Sequence, residues 1–78
     1  MSKLPQVSGP ELVGALQKLG FTVRRQHGSH IIMRRVDPFA QTVVPNHRQI
    51  DRGTLRAILR QTGISADKLI ELLSRRGG

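Results

Sequence analysis

The sequence predicts an α+β domain in which helices cover one face of a three-stranded antiparallel sheet. Apolar residues first recur at helical spacing, then alternate with polar residues over three short segments, and then return to helical spacing. Turn-forming residues separate these segments, so the predicted order is α-β-β-β-α with a further short helix at the C-terminal end. With 78 residues, no internal repeat and no linker, residues 1–78 are predicted to form one domain.

The first predicted helix covers roughly residues 9–19. Ser8 can cap the free amide three residues on, Glu11 can bond back to Ser8, and Pro10 suits a first turn. Gly20 supplies the left-handed residue that ends the helix. One face of this helix carries four apolar residues: Leu12, Val13, Leu16 and Leu19.

Three strands are predicted next, because the apolar period changes from helical to two. In the first strand Phe21 and Val23 alternate with polar residues, which is typical of a half-buried strand. Gly28 can take the positive φ of a tight hairpin turn, and residues 29–35 form the second strand. Residues 41–44 form a short third strand, so the sheet is an antiparallel meander.

Two helices are predicted after the sheet. Asp51 or Gln49 can cap the second helix, and Gly63 ends it. Its apolar stripe is Leu55, Ile58 and Leu59, and Arg52, Arg56 and Arg60 line one ridge beside that stripe. Ser65 starts the last helix, whose apolar residues are Leu69, Ile70, Leu72 and Leu73. Residues 74–78 are expected to form a frayed basic tail.

The composition limits the possible functions. Thirteen Lys and Arg against five Asp and Glu give a formal charge of +8, which favours a polyanionic partner: nucleic acid first, an acidic protein second, with a merely solvated surface as the plain alternative. There is no cysteine for a disulfide or a thiolate metal site. The polar start, Met1 to Gln6, and the absence of an apolar run long enough for a bilayer predict a cytoplasmic protein without membrane contact.

The three histidines are the candidate chemical groups, and no cofactor is predicted. His27 and His30 flank the hairpin turn, and His47 follows the third strand. His30 has three interpretations: a structural residue that hydrogen-bonds across the turn, a ligand of a three-histidine zinc site, or a catalytic residue. The zinc site is the least favoured, because an i, i+3 pair on a hairpin points to different faces unless the turn intervenes. The catalytic role suits RNA cleavage without metal, since imidazole exchanges protons near neutral pH.

The chain resembles the HicA, or YcfA-like, toxins of bacterial toxin–antitoxin pairs. The resemblance lies in the order and spacing of motifs over most of the chain, each of which is weak alone. These motifs are Leu12 to Leu19 with Gly20 and Phe21; Gly28, Ser29 and His30; Val44, Pro45, Asn46 and His47; Gly53, Thr54, Leu55, Arg56, Ile58 and Leu59; and Gly63, Ile64, Ser65 and Leu69.

The resemblance implies a double-stranded-RNA-binding-like fold and the toxin of a type II pair. Such toxins are endoribonucleases (mRNA interferases) that cleave mRNA and arrest translation and growth, and a HicB-type antitoxin neutralises them. The family's catalytic histidine corresponds to His30, Gly28 would shape the turn, and Ser29 would orient the loop or contact phosphate. From their strand neighbourhood we expect four arginines to hold phosphates: Arg24, Arg25, Arg34 and Arg35.

Two alternatives to a ribonuclease remain open at this stage. The first is a non-catalytic RNA-binding module that grips phosphates with the strand arginines and the ridge of the second helix, Arg52, Arg56 and Arg60. The second is a DNA-binding partner in an operator complex, in which the antitoxin supplies the specificity.

Two further residues have competing interpretations. The segment 36–40 departs from the polar turn that the family would lead one to expect. Phe39 within it is expected to pack in the core, with an exposed base-stacking anchor as the alternative. His47 is expected to be structural, capping the second helix, with catalysis as the alternative.

Overall fold

The fold has the predicted α+β order, with one helix before the sheet and two after it. The computed structural model describes residues 3–74. Its elements are α1 (Gly9–Lys18), β1 (Thr22–His27), β2 (His30–Arg35), β3 (Ala40–Pro45), α2 (Arg52–Thr62) and α3 (Ala66–Ser74). The strands form one antiparallel sheet in the order β1-β2-β3, consistent with a double-stranded-RNA-binding-like fold. Ser74 ends α3, whereas the rest of the expected tail, residues 75–78, lies outside the described residues, as do Met1 and Ser2.

Helix α1 begins with the predicted capping box. Ser8 Oγ accepts a hydrogen bond from the Glu11 amide at 3.1 Å, and Glu11 Oε1 accepts one from the Ser8 amide at 2.9 Å. Gly20 follows the helix with φ +92°, as predicted for its left-handed residue. Leu12 and Leu16 are fully buried, so the predicted stripe faces the core.

The helices cover one face of the sheet, and the core lies between them. Burial alternates along β3, where Ala40, Thr42 and Val44 point inward. The buried residues of β2 are Ile31 and Met33. Helix α2 packs against β3, and α1 contacts α3 and both outer strands. This arrangement leaves the other face of the sheet without a covering element among residues 3–74.

Strand β1 is not half-buried as predicted, because all six of its residues are exposed. Val23 opposes the buried Met33 but is itself 44% exposed. The register shifts between Val23 and Arg25, so β1 carries a β-bulge there, and the strand forms one edge of the sheet, with β3 at the other edge. Only Phe21, just before the strand, reaches the core.

Helix α2 is capped by Asp51 and not by Gln49. Asp51 Oδ2 accepts from the Thr54 amide at 3.1 Å, and Oδ1 accepts from the Thr54 hydroxyl at 2.7 Å. These bonds stabilise the carboxylate and hold the pKa of Asp51 below its ordinary value. The helix ends as predicted at Gly63, with φ +72°, and its three stripe residues are buried.

Helix α3 starts after Ser65, whose Oγ accepts from the Lys68 amide at 3.0 Å. Leu69 and Leu72 are buried, and Leu73 is partly buried against the core. Ile70 is 41% exposed, so it lies outside the predicted apolar stripe.

The loop between β3 and α2 joins three parts of the chain through backbone hydrogen bonds. The bonds are Gly9 N–H to the His47 carbonyl (2.8 Å), Asn46 N–H to the Ser29 carbonyl (2.6 Å) and Ile50 N–H to the Val7 carbonyl (2.9 Å). We call this group of residues, 7–9, 29 and 45–50, the junction. It links the start of α1, the tip of the β1–β2 hairpin and the end of β3.

Gly9 lies so close to the junction loop that it has no room for a side chain. A Cβ atom at this position would overlap the Pro45 carbonyl oxygen and lie 2.8 Å from the Asn46 Cα. Both neighbours are backbone atoms, so they cannot rotate away as a flexible side chain could.

We predict that Gly9→Ala destabilises the protein by about 1–3 kcal/mol, because the new methyl group forces α1 away from the junction. Gly14→Ala is the matched control, since Gly14 also lies in α1 and a Cβ there meets nothing within 4 Å. This control should gain up to about 1 kcal/mol from the better helix propensity of alanine. Urea unfolding followed by far-ultraviolet circular dichroism measures both, and equal stabilities would contradict the prediction.

Candidate nucleic-acid interface

The uncovered face of the sheet is the candidate interface, and we call it the open face. Cross-strand partners share a face, and the buried partners Met33 and Thr42 mark the covered one. Strand alternation therefore gives the open face three cross-strand rows: Thr22–Arg34–Gln41, Arg25–Ile32–Val43 and His27–His30–Pro45.

The hairpin turn brings His27 and His30 together at one end of the open face. The two histidines are register partners, and only Gly28 and Ser29 separate them. Gly28 has φ +57°, as predicted, and no described non-glycine residue has a positive φ, so the φ of Ser29 is negative. A positive φ at the first central residue alone fits a type II′ turn. Directly opposed residues in such a pair have Cβ atoms roughly 5 Å apart. The turn thus does intervene, and both side chains start from neighbouring positions on the open face.

His30 is exposed, and its ring makes no hydrogen bond with any residue from 3 to 74. The structural interpretation, a hydrogen bond across the turn, is therefore wrong. His27 instead has a neighbour, because its Nε2 lies 3.1 Å from Arg25 Nη1. A guanidinium only donates, so Nε2 is the acceptor in this contact.

Arg25 and Arg34 are the two predicted phosphate ligands that lie on the open face. Arg34 Nε donates to Gln41 Oε1 on β3 at 2.9 Å. Arg24 is the extra residue of the bulge and is exposed. Within the described part of the chain, no carboxylate forms an ion pair with these three arginines. Their charges are available to an anion.

Arg35 has a different environment from the other three strand arginines. Its Nε donates to the Pro38 carbonyl at 2.9 Å, and its Nη1 donates to the Leu19 carbonyl at 3.4 Å. Its Cζ lies 4.6 Å from the centre of the Phe21 ring, in a cation–π contact. Arg35 opposes the buried Ala40, so it is on the covered side of the sheet. Its guanidinium ties the β2–β3 turn to the end of α1.

Four of the five carboxylates lie in the helices or at their starts, and the fifth, Asp37, lies in the turn between β2 and β3. Glu11 and Asp51 cap helices, and Asp67 and Glu71 are on α3. A further basic surface lies on α2, where Arg52, Arg56 and Arg60 are all exposed. Six of the thirteen basic residues thus lie on the open face, at the bulge of β1 and on the ridge of α2.

His47 does not have the predicted capping role, because Asp51 caps α2. His47 is exposed in the junction, where its backbone carbonyl accepts the hydrogen bond from Gly9. The three histidines do not form the zinc site considered above: among residues 3–74, no three His, Cys, Asp or Glu side chains are grouped to hold a metal ion.

Phe39 is not in the core as predicted, since 70% of its surface is exposed. It belongs to the turn between β2 and β3, and the inward position at this end of β3 is taken by Ala40. Val36 in the same turn is 79% exposed. This exposed position fits the alternative interpretation, in which Phe39 is an anchor that stacks on a base.

Sequence reasoning did not anticipate the pairing of His27 with His30 or the contact of His27 with Arg25. The available signal was the hairpin itself: a two-residue turn places its flanking residues opposite each other on one face. The bulge that turns Arg25 towards the open face left no comparable local signal.

Comparison with known families finds one relationship. A family model described as the HicA toxin of bacterial toxin–antitoxin systems matches residues 9–64. The match covers more than half of the chain and includes α1, the whole sheet and α2. No curated protein matches the chain. None of the helices between residues 3 and 74 is long and apolar enough to cross a membrane.

We predict that Arg35→Ala lowers the free energy of unfolding by about 1–2 kcal/mol, through loss of the cation–π contact and the two carbonyl bonds. Arg24→Ala is the matched control, because Arg24 is exposed and no hydrogen bond of its side chain to residues 3–74 is found. It should change stability by less than about 0.5 kcal/mol. Chemical unfolding of both variants checks this, and a stability loss in the control alone would contradict it.

Proposed function

The chain belongs to the HicA toxin family, and from that premise we propose that it is an endoribonuclease that cleaves cytoplasmic mRNA and so arrests translation and growth. The single observation that supports this activity best is the pair of adjacent histidines on a basic, uncovered sheet face. The antitoxin partner that membership of the family implies would be of the HicB type.

The histidine pair supplies the two proton transfers that RNA cleavage needs. His30 would act as general base or acid: as base, it removes the proton of a ribose 2′-hydroxyl, whose oxygen then attacks the adjacent phosphorus. The bond to the 5′-oxygen breaks, and that oxygen takes a proton from a general acid. His27, which is opposite His30 in the register, would be the partner in the second transfer. This route forms a 2′,3′-cyclic phosphate and requires no metal ion.

The open-face arginines would stabilise the charge that develops on the phosphoryl oxygens. Arg25 lies two residues from His27 along β1, which corresponds to about 7 Å at the rise of a β-strand. Arg34 is a further two residues away on β2, so phosphates along an extended RNA strand would meet successive positive charges. Arg24 at the bulge would add charge at the edge.

The hairpin tip would orient the reacting phosphate. The Ser29 carbonyl is bonded to Asn46, which anchors the tip to the junction, while the Ser29 hydroxyl makes no hydrogen bond to residues 3–74. This hydroxyl would donate to a phosphate oxygen. Gly28 provides the positive φ that the turn requires.

A non-catalytic RNA-binding module is the second candidate function. The exposed arginine ridge of α2, together with Arg25 and Arg34, favours it, because both surfaces could contact phosphates without chemistry. Such a module would bind RNA with an affinity that falls steeply with salt and would release no fragments.

We predict that His30→Ala lowers the cleavage rate by about 100-fold or more, because a proton-transfer group is lost, while the fold and the RNA affinity persist. The measurement is incubation of both proteins with a long mRNA in excess EDTA, followed by analysis of fragments and their 3′ ends. Fragments with cyclic phosphate ends from the unmodified protein alone are the expected result. Intact RNA that both proteins shift in a gel would establish the binding module instead.

We predict that His27→Ala lowers the cleavage rate by at least about tenfold and removes one limb of the pH–rate profile, since one of two proton-transfer groups is missing. His47→Ala is the matched control, because this third exposed histidine lies in the junction outside the open-face rows. Its rate should stay within about twofold of the unmodified protein. If His27→Ala keeps the normal cleavage rate and both limbs of the pH–rate profile, His30 acts without His27.

A further inference from the structure

The two edges of the sheet differ in how they resist pairing with another strand. At the β1 edge, the bulge and the charges of Arg24 and Arg25 interrupt the regular backbone. Charges and bulges of this kind are devices that protect edge strands. The β3 edge has neither, because Ala40–Pro45 contains no charged residue and keeps an unbroken register with β2 over six residue pairs. The β3 edge is therefore a template for a further strand.

The register identifies which backbone groups of β3 are free. The bond from Asn46 N–H to the Ser29 carbonyl makes these two a hydrogen-bonded pair, and such pairs alternate along antiparallel strands. Thr42 and Val44 therefore bond to β2, while the N–H and C=O groups of Gln41 and Val43 point away from it. No residue from 3 to 74 forms another backbone bond with Gln41 or Val43.

The free edge ends sharply at Pro45. Proline has no N–H group, and its carbonyl oxygen here packs against Gly9 in the junction. A docking strand would consequently use two N–H and two C=O groups, all from Gln41 and Val43.

An open groove of about 550 Å³ runs beside this edge, between β3 and α2. Gln41 and Val43 line it at the strand edge, and Ala57, Ile58 and the helix-capping Asp51 line it from the side of α2, so the groove is partly apolar and carries one carboxylate at the start of the helix. The Thr42 hydroxyl donates to Gln61 Oε1 at 2.6 Å and closes its floor. An added strand would direct every second side chain into this groove, as in other cases of strand addition beside a helix.

The remaining side chains of an added strand would lie on the open face, where the neighbouring charges are positive. Arg34 already reaches β3 through its bond to Gln41, so its charge is one strand away from the free edge. Acidic residues at these alternate positions would lie nearest to Arg34, whose side chain already extends over β3. The chemistry of the edge therefore selects a strand that alternates acidic residues with small apolar ones.

A second copy of this chain fits the edge less well. Two β3 strands paired antiparallel would form one continuous sheet with both open faces on the same side, since the two-fold axis of such a pair is perpendicular to the sheet. Each copy carries a net charge of +8, and the arginines of both would face the same solvent.

We propose that the free edge of β3 is the docking site for an extended acidic strand of the antitoxin partner, which adds to the sheet through Gln41 and Val43. Its acidic side chains on the open side of the sheet pair with Arg34, the open-face arginine that reaches β3. This inference rests on the proposed role as the toxin of a pair, and it does not depend on RNA cleavage.

Amide exchange measured by NMR on the full chain, alone and in complex with the full-length antitoxin, tests the proposal directly. The amides of Gln41 and Val43 should exchange rapidly in the free protein and about tenfold or more slowly in the complex. The amides of Thr42 and Val44 bond to β2, so they should be protected in both states and serve as the internal reference. Unchanged exchange at Gln41 and Val43 on complex formation would overturn the proposal.

Val43→Pro provides the second measurement, because proline removes one outward N–H and is tolerated at such edge positions. It should weaken antitoxin binding by about tenfold or more, whereas the control Val43→Thr, which keeps the N–H and the branched side chain, should change it by less than about threefold. Equal affinities for a folded Val43→Pro, checked by circular dichroism, would overturn the proposal. If that variant does not fold, amide exchange in the unmodified protein decides.

Two further measurements distinguish this proposal from a dimer of this chain and from the proposed ribonuclease activity. Sedimentation of the protein alone should show a monomer, and a dimer that Val43→Pro dissociates would assign the edge to a second copy and overturn the proposed occupant. Cleavage of mRNA by the unmodified protein is measured separately. Absence of cleavage together with protection of Gln41 and Val43 would refute the ribonuclease and support the docking site.

Discussion

The close contact between Gly9 and the carbonyl of Pro45 is the constraint on which the rest of the structure depends. It lets the start of α1 approach the end of β3 until the Gly9 amide bonds to the His47 carbonyl. The neighbouring Asn46 amide bonds in turn to Ser29 at the hairpin tip. His30 follows Ser29 and opposes Pro45 in the register, so this backbone arrangement also fixes the position of the candidate catalytic side chain. In a chain of 78 residues whose core consists of aliphatic side chains, Met33 and a single phenylalanine, such backbone bonds fix geometry that a small core alone would leave loose.

The charges are separated because the fold uses its few carboxylates locally. Glu11 and Asp51 are bonded to the first turns of α1 and α2, where a negative charge also favours the helix dipole. The sheet strands contain no carboxylate, so the positive charges of Arg25 and Arg34 are not neutralised on the open face. An anion that approaches this face meets a field of one sign, which increases both its rate of association and its affinity.

Features that depend on neighbouring residues were predictable from the sequence, and features that depend on distant ones were not. The capping box at Ser8 and the positive φ of Gly28 follow from local backbone chemistry, and the structure confirms both. Phe39 was wrongly expected in the core because its hydrophobicity is a property of the residue, while its burial depends on how far the helices extend over the sheet. Of the candidate site, the position of His30 beside a turn was predictable. Its pairing with His27 and the covered location of Arg35 required the register.

The bulge in β1 explains both the failed prediction for that strand and the chemistry of the open face. Phe21, Val23, Arg25 and His27 are all odd-numbered, so strict alternation would place them on one face of the sheet. The register shift between Val23 and Arg25 divides them: Val23 opposes the buried Met33, whereas Arg25 and His27 join the open face. One extra residue thus places Val23 on the covered side of the sheet and Arg25 and His27 on the side of the candidate site, although every residue of the strand is exposed. The same irregularity disrupts the β1 edge, which leaves the regular edge of β3 as the place where another strand can be added to the sheet.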